Sequence, residues 1–273
     1  MCRLFGFRSE KPVKPSHCLM NSKNSMLNQS RKNQDGWGIS YFTKDKIEVI
    51  KSTYSAHEDK IFSNTSTKIR SNTILTHIRK ATQGKLEINN NQPFKYNDWV
   101  FAHNGNLKNF PDLKEYLISK IDKELQENII GNTDSEIIFY LLLSKIKKFS
   151  RENIRNSLQS FIEAIRTAID EIEACSGKIY HDENGSSNET YLSFILTNGS
   201  LMLAHQGGKS MHYSQHNSLN EKTCLCDFDN NSVALAKHVI FSSEPLDQNT
   251  WTKMSLYEIA VVDSDFNTHL FRS

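Results

Sequence analysis

The sequence predicts an α+β protein in which two mainly antiparallel sheets stack face to face and helices cover their outer sides. Strand patterns occupy both ends of the 273-residue chain, and two helical patterns lie between them. The first helical pattern contains an apolar run, residues 137–143, that is hydrophobic on all sides and therefore predicts a buried helix. Sheets and helices of this kind stabilise each other by packing in layers. No linker, repeat or shift in composition divides the chain, so we expect one domain spanning residues 1–273.

The first group of strands comes from short β-forming segments. The predicted strands are the residues that follow Cys2, then 39–42, 46–50, 72–79 and 99–103. The last of them leads into Asn104-Gly105, and the apolar spacing of the residues from Leu107 onward is helical. The dipeptide is therefore predicted to lie at a strand-to-helix corner, where functional backbone is often exposed.

The central helices and the second group of strands follow. Thr133-Asp134-Ser135-Glu136 is a capping-box pattern and predicts the start of the buried helix. Apolar residues at helical spacing predict a second helix over residues 154–172. The remaining predicted strands cover residues 191–197, 201–205, 233–241, 256–262 and 268–271.

Composition excludes several classes of protein. The chain has 33 basic and 31 acidic residues, a net charge of +2, so nothing favours nucleic acid or an anionic membrane as a partner. No apolar run approaches the roughly 18 residues that span a membrane. No signal peptide is recognisable. The five cysteines are few, odd in number and scattered, and Cys224-Leu225-Cys226 lacks zinc or redox spacing. We therefore expect a reduced, cytoplasmic protein without a metal or organic cofactor.

Cys2 stands directly after the initiator methionine, a position with a particular chemical possibility. If Met1 is removed, Cys2 carries a nucleophilic thiol and a free α-amine. That amine, with a pKa of roughly 7.7–8.0, can accept the proton of the thiol. The alternative is a small residue near a chain end, so the interpretation requires an oxyanion hole and a substrate clamp elsewhere in the chain.

Four residues are candidates for those two parts of the site. Asn104 offers a side-chain NH₂ group, and Gly105 a backbone N–H without an obstructing Cβ, to an oxyanion. Arg79 has the bidentate fork that suits a carboxylate, and Asp134 has the charge that suits an ammonium group. Considered singly, Arg79 also fits a surface ion pair, and Asp134 also fits a residue that complements the helix dipole.

Several segments together resemble the class II (N-terminal nucleophile, Ntn) glutamine amidotransferases, most of all the stand-alone YafJ-type group. The segments, in order, are Met1-Cys2-Arg3-Leu4-Phe5-Gly6, Asp35-Gly36-Trp37-Gly38-Ile39, His77-Ile78-Arg79-Lys80-Ala81-Thr82-Gln83-Gly84, Asn91-Gln92-Pro93-Phe94, Phe101-Ala102-His103-Asn104-Gly105-Asn106-Leu107, Asn132-Thr133-Asp134-Ser135-Glu136 and Ser242-Ser243-Glu244-Pro245-Leu246 with Trp251. The resemblance therefore runs through nearly the whole chain.

The resemblance implies a four-layer αββα Ntn-hydrolase fold and an amidohydrolase site. In that site Cys2 is the nucleophile, with its α-amine as the base, and Asn104 and Gly105 form the oxyanion hole. Arg79 binds the α-carboxylate of the substrate, and Asp134 binds its α-ammonium. The implied reaction hydrolyses the side-chain amide of glutamine through a cysteine thioester and yields glutamate and ammonia.

Three functions remain open from the sequence. The first is a glutaminase that supplies ammonia to a separate synthase or partner subunit. The second is a γ-glutamyl amidase acting on a γ-glutamyl peptide or thiol, because such a substrate presents the same amino-acid head to Arg79 and Asp134. The third is a catalytically silent binding subunit, which is expected if Met1 is retained and the α-amine is blocked. A small second residue favours removal of Met1.

Overall fold

A computed structural model describes residues 2–152, 157–186, 188–216, 237–248 and 251–272 of the chain. Within these residues the strands form two sheets in which every neighbouring pair is antiparallel. One apolar core lies between the two sheets. A second core lies between the first sheet and its helices, and a third lies between the second sheet and its helices. The layer order is helix, sheet, sheet, helix, which confirms the predicted α+β sandwich.

The first sheet places the N-terminal strand at its centre. In spatial order its strands are β11 (Thr252–Lys253), β9 (His212–His216), β10 (His238–Ser242), β1 (Arg3–Val13), β4 (Ser71–Ile78), β2 (Trp37–Phe42) and β3 (Ile47–Ser52). Phe5 of β1 pairs with Thr76 on one side and Ser242 on the other. Since β1 has hydrogen-bonded neighbours along both edges, Cys2 is held by a central strand and not by a fraying end.

The second sheet carries the Asn-Gly dipeptide. In spatial order its strands are β13 (Thr268–Phe271), β12 (Ile259–Val262), β8 (Met202–His205), β7 (Tyr191–Thr197), β6 (Trp99–Asn106) and β5 (Phe94–Tyr96). Asn104 and Gly105 pair with Ser193 and Leu192 of β7. The position predicted for the strand-to-helix corner is therefore wrong. Pairing with β7 continues β6 through both residues, and the next helix begins only at Phe110.

Helices cover both outer faces. The first sheet is covered by α1 (Met26–Gln29) and α2 (Lys60–Lys68), and the second by α3 (Phe110–Ser119), α4 (Lys123–Gln126), α5 (Asp134–Glu152) and α6 (Leu158–Ser176). A single π-helical turn, His17–Asn21, and a 3₁₀ turn, Ile88–Asn90, complete the helical segments of the described chain. Both predicted central helices are present, as α5 and α6. The predicted first residue of the second one, Ile154, lies outside the described residues. So do residues 233–236 of one predicted strand, and Cys224 and Cys226.

The start of α5 follows the predicted capping pattern in part. Thr133 Oγ1 accepts a hydrogen bond from the Glu136 amide at 3.4 Å, as a capping box requires. The Glu136 carboxylate turns instead to the backbone N–H groups of Ile130 and Gly131, at 3.1 and 2.6 Å. It therefore fixes the approach of the chain to the helix, and thereby the position of Asp134 at its first residue.

No helix within the described part of the chain is long and apolar enough to cross a bilayer.

Gly38 of β2 lets the loop that precedes β5 pack closely on the first sheet beside the candidate site. A Cβ at this position would lie 2.2 Å from the carbonyl oxygen of Gln92, which is backbone and cannot rotate away. At Gly6 a Cβ would instead meet the flexible Met202 sulfur at 3.0 Å. We expect Gly38→Ala to lower the free energy of unfolding by roughly 1–3 kcal/mol. The control Gly6→Ala should lower it by clearly less. Equal losses for the two variants in denaturant titrations would contradict this account of the contact between Gly38 and the loop.

Candidate active site

The Cys2 thiol lies at the beginning of β1, against the residue that follows Arg79. Its Sγ donates to the carbonyl oxygen of Lys80 and accepts from the amide of Lys80, both at 3.2 Å. The residue is 9% exposed, and burial raises the pKa of its thiol above the ordinary value. The group is therefore a thiol, not a stable thiolate, until a base removes its proton.

The Asp35 side chain and the Gly36 backbone hold the segment that carries Arg79. The Asp35 carboxylate accepts from the Ala81 amide at 2.8 Å, and the Gly36 carbonyl accepts from the Arg79 amide at 2.8 Å. Gly36 has φ = +119°, a conformation open to glycine, and a Cβ there would lie 2.3 Å from Asn91 Nδ2. A glycine is therefore required at this position, which precedes β2 and is separated from β1 by β4.

The Arg79 guanidinium is buried and fully engaged at its two terminal nitrogens. Nη1 donates to the Asn91 side-chain oxygen at 2.9 Å and to the Lys85 carbonyl at 3.2 Å. Nη2 donates to the carbonyl oxygens of Gln83, at 3.1 Å, and Lys85, at 3.2 Å. The loop of residues 80–85 therefore lies over Arg79, and a substrate carboxylate must exchange with these carbonyl oxygens to reach the same nitrogens.

Asn91 is a positioning residue that the sequence interpretation did not identify. Its Oδ1 orients Arg79, and its Nδ2 donates to the Ser52 carbonyl at 2.6 Å. The neighbouring Gln92 accepts from the His103 amide at 2.5 Å and so ties the same loop to β6. Asn91-Gln92-Pro93 was among the recognised motifs, but nothing in its spacing shows which distant side chain it contacts.

Asp134 begins α5 with its carboxylate oriented by backbone donors. Oδ2 accepts from the Leu107 amide at 2.9 Å, and Oδ1 accepts from the Ser135 amide at 2.8 Å. The residue is 2% exposed. Each oxygen retains further acceptor capacity, so the carboxylate is a fixed negative charge that suits an ammonium group.

The structure brings four of the five predicted site residues to one small cavity. Cys2, Arg79, Gly105 and Asp134 all line it. Its volume is about 20 Å³, enough for a water molecule and too small for a glutamine side chain. Residues 80–83 of the loop over Arg79 form part of its wall.

Asn104 faces a different space, which we call the second cavity. This cavity has a volume of about 460 Å³ and is lined by Arg3, Asn104, Glu183, Asn184, Lys209, Ser210, His212, Ser243, Glu244 and Lys253. Gly105, the next residue of β6, lines the small cavity. The two predicted oxyanion donors therefore lie where the two cavities approach each other.

Gly105 is required by its surroundings. A Cβ there would lie 2.0 Å from the Tyr191 carbonyl oxygen and 2.2 Å from His103 Nε2. His103 Nε2 donates to that same carbonyl at 3.0 Å, which leaves Nδ1 to accept from the Ser135 hydroxyl at 2.9 Å. Burial lowers the pKa of His103, so a neutral imidazole joins β6 to the start of α5.

His77 makes the fold sensitive to acid. It is fully buried, and burial, reinforced by the charge of Arg79, lowers its pKa to about 3. The unfolded chain gains a proton at this histidine below a pH of about 6.5, whereas the folded chain does not. The corresponding stability is fully present above that pH and is lost as the pH falls toward 3.

We therefore expect the free energy of unfolding to decline more gradually with falling pH in His77→Gln than in the wild-type protein between about pH 6.5 and 4. The exposed His181→Gln is the control. The measurement is denaturant unfolding at a series of pH values. Identical slopes for His77→Gln and wild type would contradict the assignment.

No group of three or more His, Cys, Asp or Glu within the described ranges is arranged to hold a metal ion.

Comparison with known proteins identifies the class to which this fold and site belong. The family model described as "Glutamine amidotransferases class-II" matches residues 1–268. The chain belongs to the class-II glutamine amidotransferase family.

Individual relatives agree with that assignment. "Probable glutamine amidotransferase DUG3" of Saccharomyces cerevisiae is 27% identical over 293 residues, covering 96% of this chain and 82% of that protein. The Escherichia coli protein YafJ is 28% identical over 118 residues, 41% of this chain and 43% of that one. The structure of a glutamine aminotransferase class-II domain protein from Silicibacter pomeroyi superposes with a TM-score of 0.64 at 17% identity, over 99% of this chain and 98% of that chain. This structural likeness confirms the Ntn-type fold.

Proposed function

We propose that the chain is a glutaminase that hydrolyses the side-chain amide of glutamine through a thioester on Cys2. The observation that carries the proposal is the single cavity lined by Cys2, Arg79, Gly105 and Asp134. It combines a nucleophile, a backbone donor and two opposite charges, which are the groups that amide hydrolysis of a free amino acid needs. We take residues 1–273 as one amidotransferase domain.

The reaction begins when the thiol of Cys2 attacks the amide carbon. Because burial raises the pKa of this thiol, the α-amine of Cys2 removes the proton as the C–S bond forms. The proton passes to the departing nitrogen, which leaves as ammonia, and water then hydrolyses the thioester to glutamate. This route needs a free Cys2 amine, so we propose that Met1, which lies outside the described residues, is removed. Fully retained Met1 in the intact mass of an active preparation would contradict it.

The oxyanion of each tetrahedral intermediate needs donors that are already in place. The Asn104 side-chain NH₂ and the Gly105 backbone N–H are proposed to supply them. The pairing of β6 with β7 holds the backbone of both residues, so the Gly105 N–H is in place before the reaction begins. The loop that packs on Gly38 of β2 also contacts β6, because Gln92 accepts from the His103 amide at 2.5 Å.

The family acts on glutamine, and amidotransferases transfer its amide nitrogen to acceptor partners or domains. We propose that this chain acts in the cytoplasm and passes ammonia to a separate synthase or partner subunit. The chain itself supplies the hydrolytic half of such a reaction.

A γ-glutamyl amidase is the second candidate, and the second cavity favours it. Glutamine releases only ammonia, which needs no cavity of about 460 Å³ beside Asn104. A γ-glutamyl peptide or thiol presents the same head group to Arg79 and Asp134 and places a larger leaving group beyond the scissile bond. A silent binding subunit would hydrolyse neither class of substrate.

Substrate analogues test the proposed clamp. We expect glutamate and ammonia from glutamine and almost none from N-acetylglutamine, because the blocked amine leaves the buried Asp134 carboxylate unpaired. The expected ratio of kcat/KM is about 10⁴, as for sites that reject a substrate lacking one polar group. Equal hydrolysis of both compounds would contradict the clamp.

Variants of Asp134 and Arg79 test which charged group of the substrate each residue recognises. Asp134→Asn should reduce discrimination against N-acetylglutamine, and Arg79→Lys should reduce discrimination against the α-carboxyl ester, since lysine lacks the planar fork. The exposed Arg70→Lys is the control for the second substitution. Circular dichroism should first show that Asp134→Asn folds, because Asp134 begins α5.

A further inference from the structure

We propose that the second cavity binds the leaving group of a γ-glutamyl substrate and that Lys209 recognises a carboxylate on that group. The inference rests on the proposed function, and it assigns a substrate class to the side of the site that the glutamine head group does not use. The leaving group would be an amino acid or short peptide attached to the γ-glutamyl carbonyl through its amine.

The position of the second cavity is the first argument. Asn104, the proposed oxyanion donor, is part of its wall. Arg3, the residue after the nucleophile, also lines it and donates from Nη1 to the Cys2 carbonyl at 3.1 Å. A substrate whose carbonyl oxygen is held between Asn104 and Gly105 therefore has the small cavity on one side and the second cavity on the other. The glutamyl head belongs to the former because Arg79 and Asp134 line it.

The balance of charges in the second cavity is the second argument. Arg3 pairs with Glu244 at 2.6 Å, and Lys253 pairs with Glu183 at 3.3 Å. Among the described residues, Lys209 has no carboxylate within ion-pair distance. The charges of Arg3 and Lys253 are thus neutralised by acidic side chains, whereas the positive charge of Lys209 in the lining of the second cavity is not.

The contacts of Lys209 leave its ammonium group able to take an anion. Nζ donates to the Glu183 carbonyl oxygen at 2.6 Å and lies 3.5 Å from the centre of the Tyr191 ring. These contacts fix the group but provide no negative charge. Burial lowers its pKa to about 8, against the opposing effect of the Asp182 and Glu183 carboxylates, so the ammonium form still predominates at neutral pH. A substrate carboxylate would stabilise the ammonium charge in place of the water that burial removes.

Two unpartnered acceptors complete the site. Within the described part of the chain, the buried atoms Asn104 Oδ1 and His212 Nδ1 have no hydrogen-bond partner. Burial lowers the pKa of His212, which keeps its imidazole neutral and able to accept a hydrogen bond. A leaving group with N–H donors near the scissile bond and a carboxylate farther away matches Asn104, His212 and Lys209 together.

The chemistry is the proposed hydrolysis with a different amine. The C–N bond of the γ-glutamyl amide breaks, the C–S bond to Cys2 forms, and the thiol proton passes through the α-amine to the departing nitrogen. Water then cleaves the thioester. The products are glutamate and a free amino acid or peptide, and no oxidant or cofactor takes part.

The first test uses the wild-type protein and two matched substrates. γ-Glutamylglycine carries a carboxylate on its leaving group, and γ-glutamylglycinamide has the same size without the charge. We expect kcat/KM to be about tenfold higher for γ-glutamylglycine, the gain typical of one hydrogen bond to a charged group. Because this test needs no substitution, it does not depend on the folding of a variant.

Variants then test whether Lys209 causes the preference for γ-glutamylglycine. In Lys209→Met the preference for γ-glutamylglycine should fall to near one, and Lys209→Arg should retain it because the charge is kept. Lys95→Met is the matched control, since Lys95 Nζ also donates to a backbone carbonyl, that of Ile47 at 3.2 Å, but lies outside the second cavity. This control should keep the full preference.

The outcomes separate the inference from the proposed function. Glutamine hydrolysis with equal kcat/KM for the two γ-glutamyl substrates would overturn the leaving-group site and leave the proposed function in place. A preference that survives in Lys209→Met would overturn the role of Lys209. Failure to cleave any γ-glutamyl amide, glutamine included, would overturn both. Cleavage of γ-glutamylglycine alone would support the leaving-group site and replace glutamine as the substrate.

Discussion

Cys2→Ala is expected to abolish glutamine hydrolysis while leaving the fold nearly unchanged. The thiol sulfur is the only protein atom that bonds covalently to the substrate in the proposed reaction, so its removal leaves the binding groups and oxyanion donors without a nucleophile. Packing should change little, because the substitution removes one sulfur from the edge of β1. Hydrolysis is measured as glutamate and ammonia release, and folding by thermal unfolding.

Cys2→Ser should be almost as inactive, since a hydroxyl group is far less acidic than a thiol and the α-amine is a weak base. The control is Cys175→Ala, which removes a free thiol from α6, on the outer side of the second sheet. It should retain wild-type turnover. Normal turnover in Cys2→Ala would show that another group is the nucleophile.

Asn104→Ala is expected to reduce kcat by about 10²–10³ with a smaller change in KM. The Asn104 NH₂ group matters most when negative charge develops on the amide oxygen, so its loss affects the transition state more than the bound substrate. Steady-state kinetics with glutamine separate the two effects. An increase in KM with kcat unchanged would make Asn104 a substrate-binding residue.

Asn104→Asp refines this result because it keeps the shape of the side chain and removes its N–H donor. Its kcat should be at least as low as that of Asn104→Ala, since a carboxylate would also repel the oxyanion. If Asn104→Asp were the more active of the two variants, the donor function of Asn104 would be wrong.

The sandwich could be predicted from the sequence because its strands and helices carry strong local patterns. The predicted strands over residues 191–197 and 268–271 have the same bounds as β7 and β13. Helix α2 was missed because its sequence is rich in Ser, Thr and Asn, which disfavour helix interiors, and only Phe62 and Ser66 are buried. What stabilises its start is the Asp59 cap, which accepts from the Ile61 amide at 2.8 Å.

The sequence could propose residues for the candidate site, four of which line one cavity, but it could not predict the contacts among them. Motifs identify Cys2, Arg79 and Asp134 because each type of side chain suits a distinct chemical task. The engagement of Arg79 by Asn91 and by the carbonyl oxygens of Gln83 and Lys85 depends on loop geometry, which spacing does not encode. The surplus charge of Lys209 likewise depends on which acids pair with Arg3 and Lys253 in the folded chain.

Covalent labelling tests the central claim, that Cys2 attacks the side-chain carbonyl of a glutamine-like substrate, most directly. The reagent is a glutamine analogue with a diazoketone in place of the side-chain amide, and the measurement is peptide mass mapping after the reaction. We predict one adduct per chain, located on Cys2, whose formation is slowed by glutamine and does not occur with the N-acetylated reagent. An adduct confined to Cys18 or Cys175, or catalytic activity that persists after complete labelling of Cys2, would contradict the account.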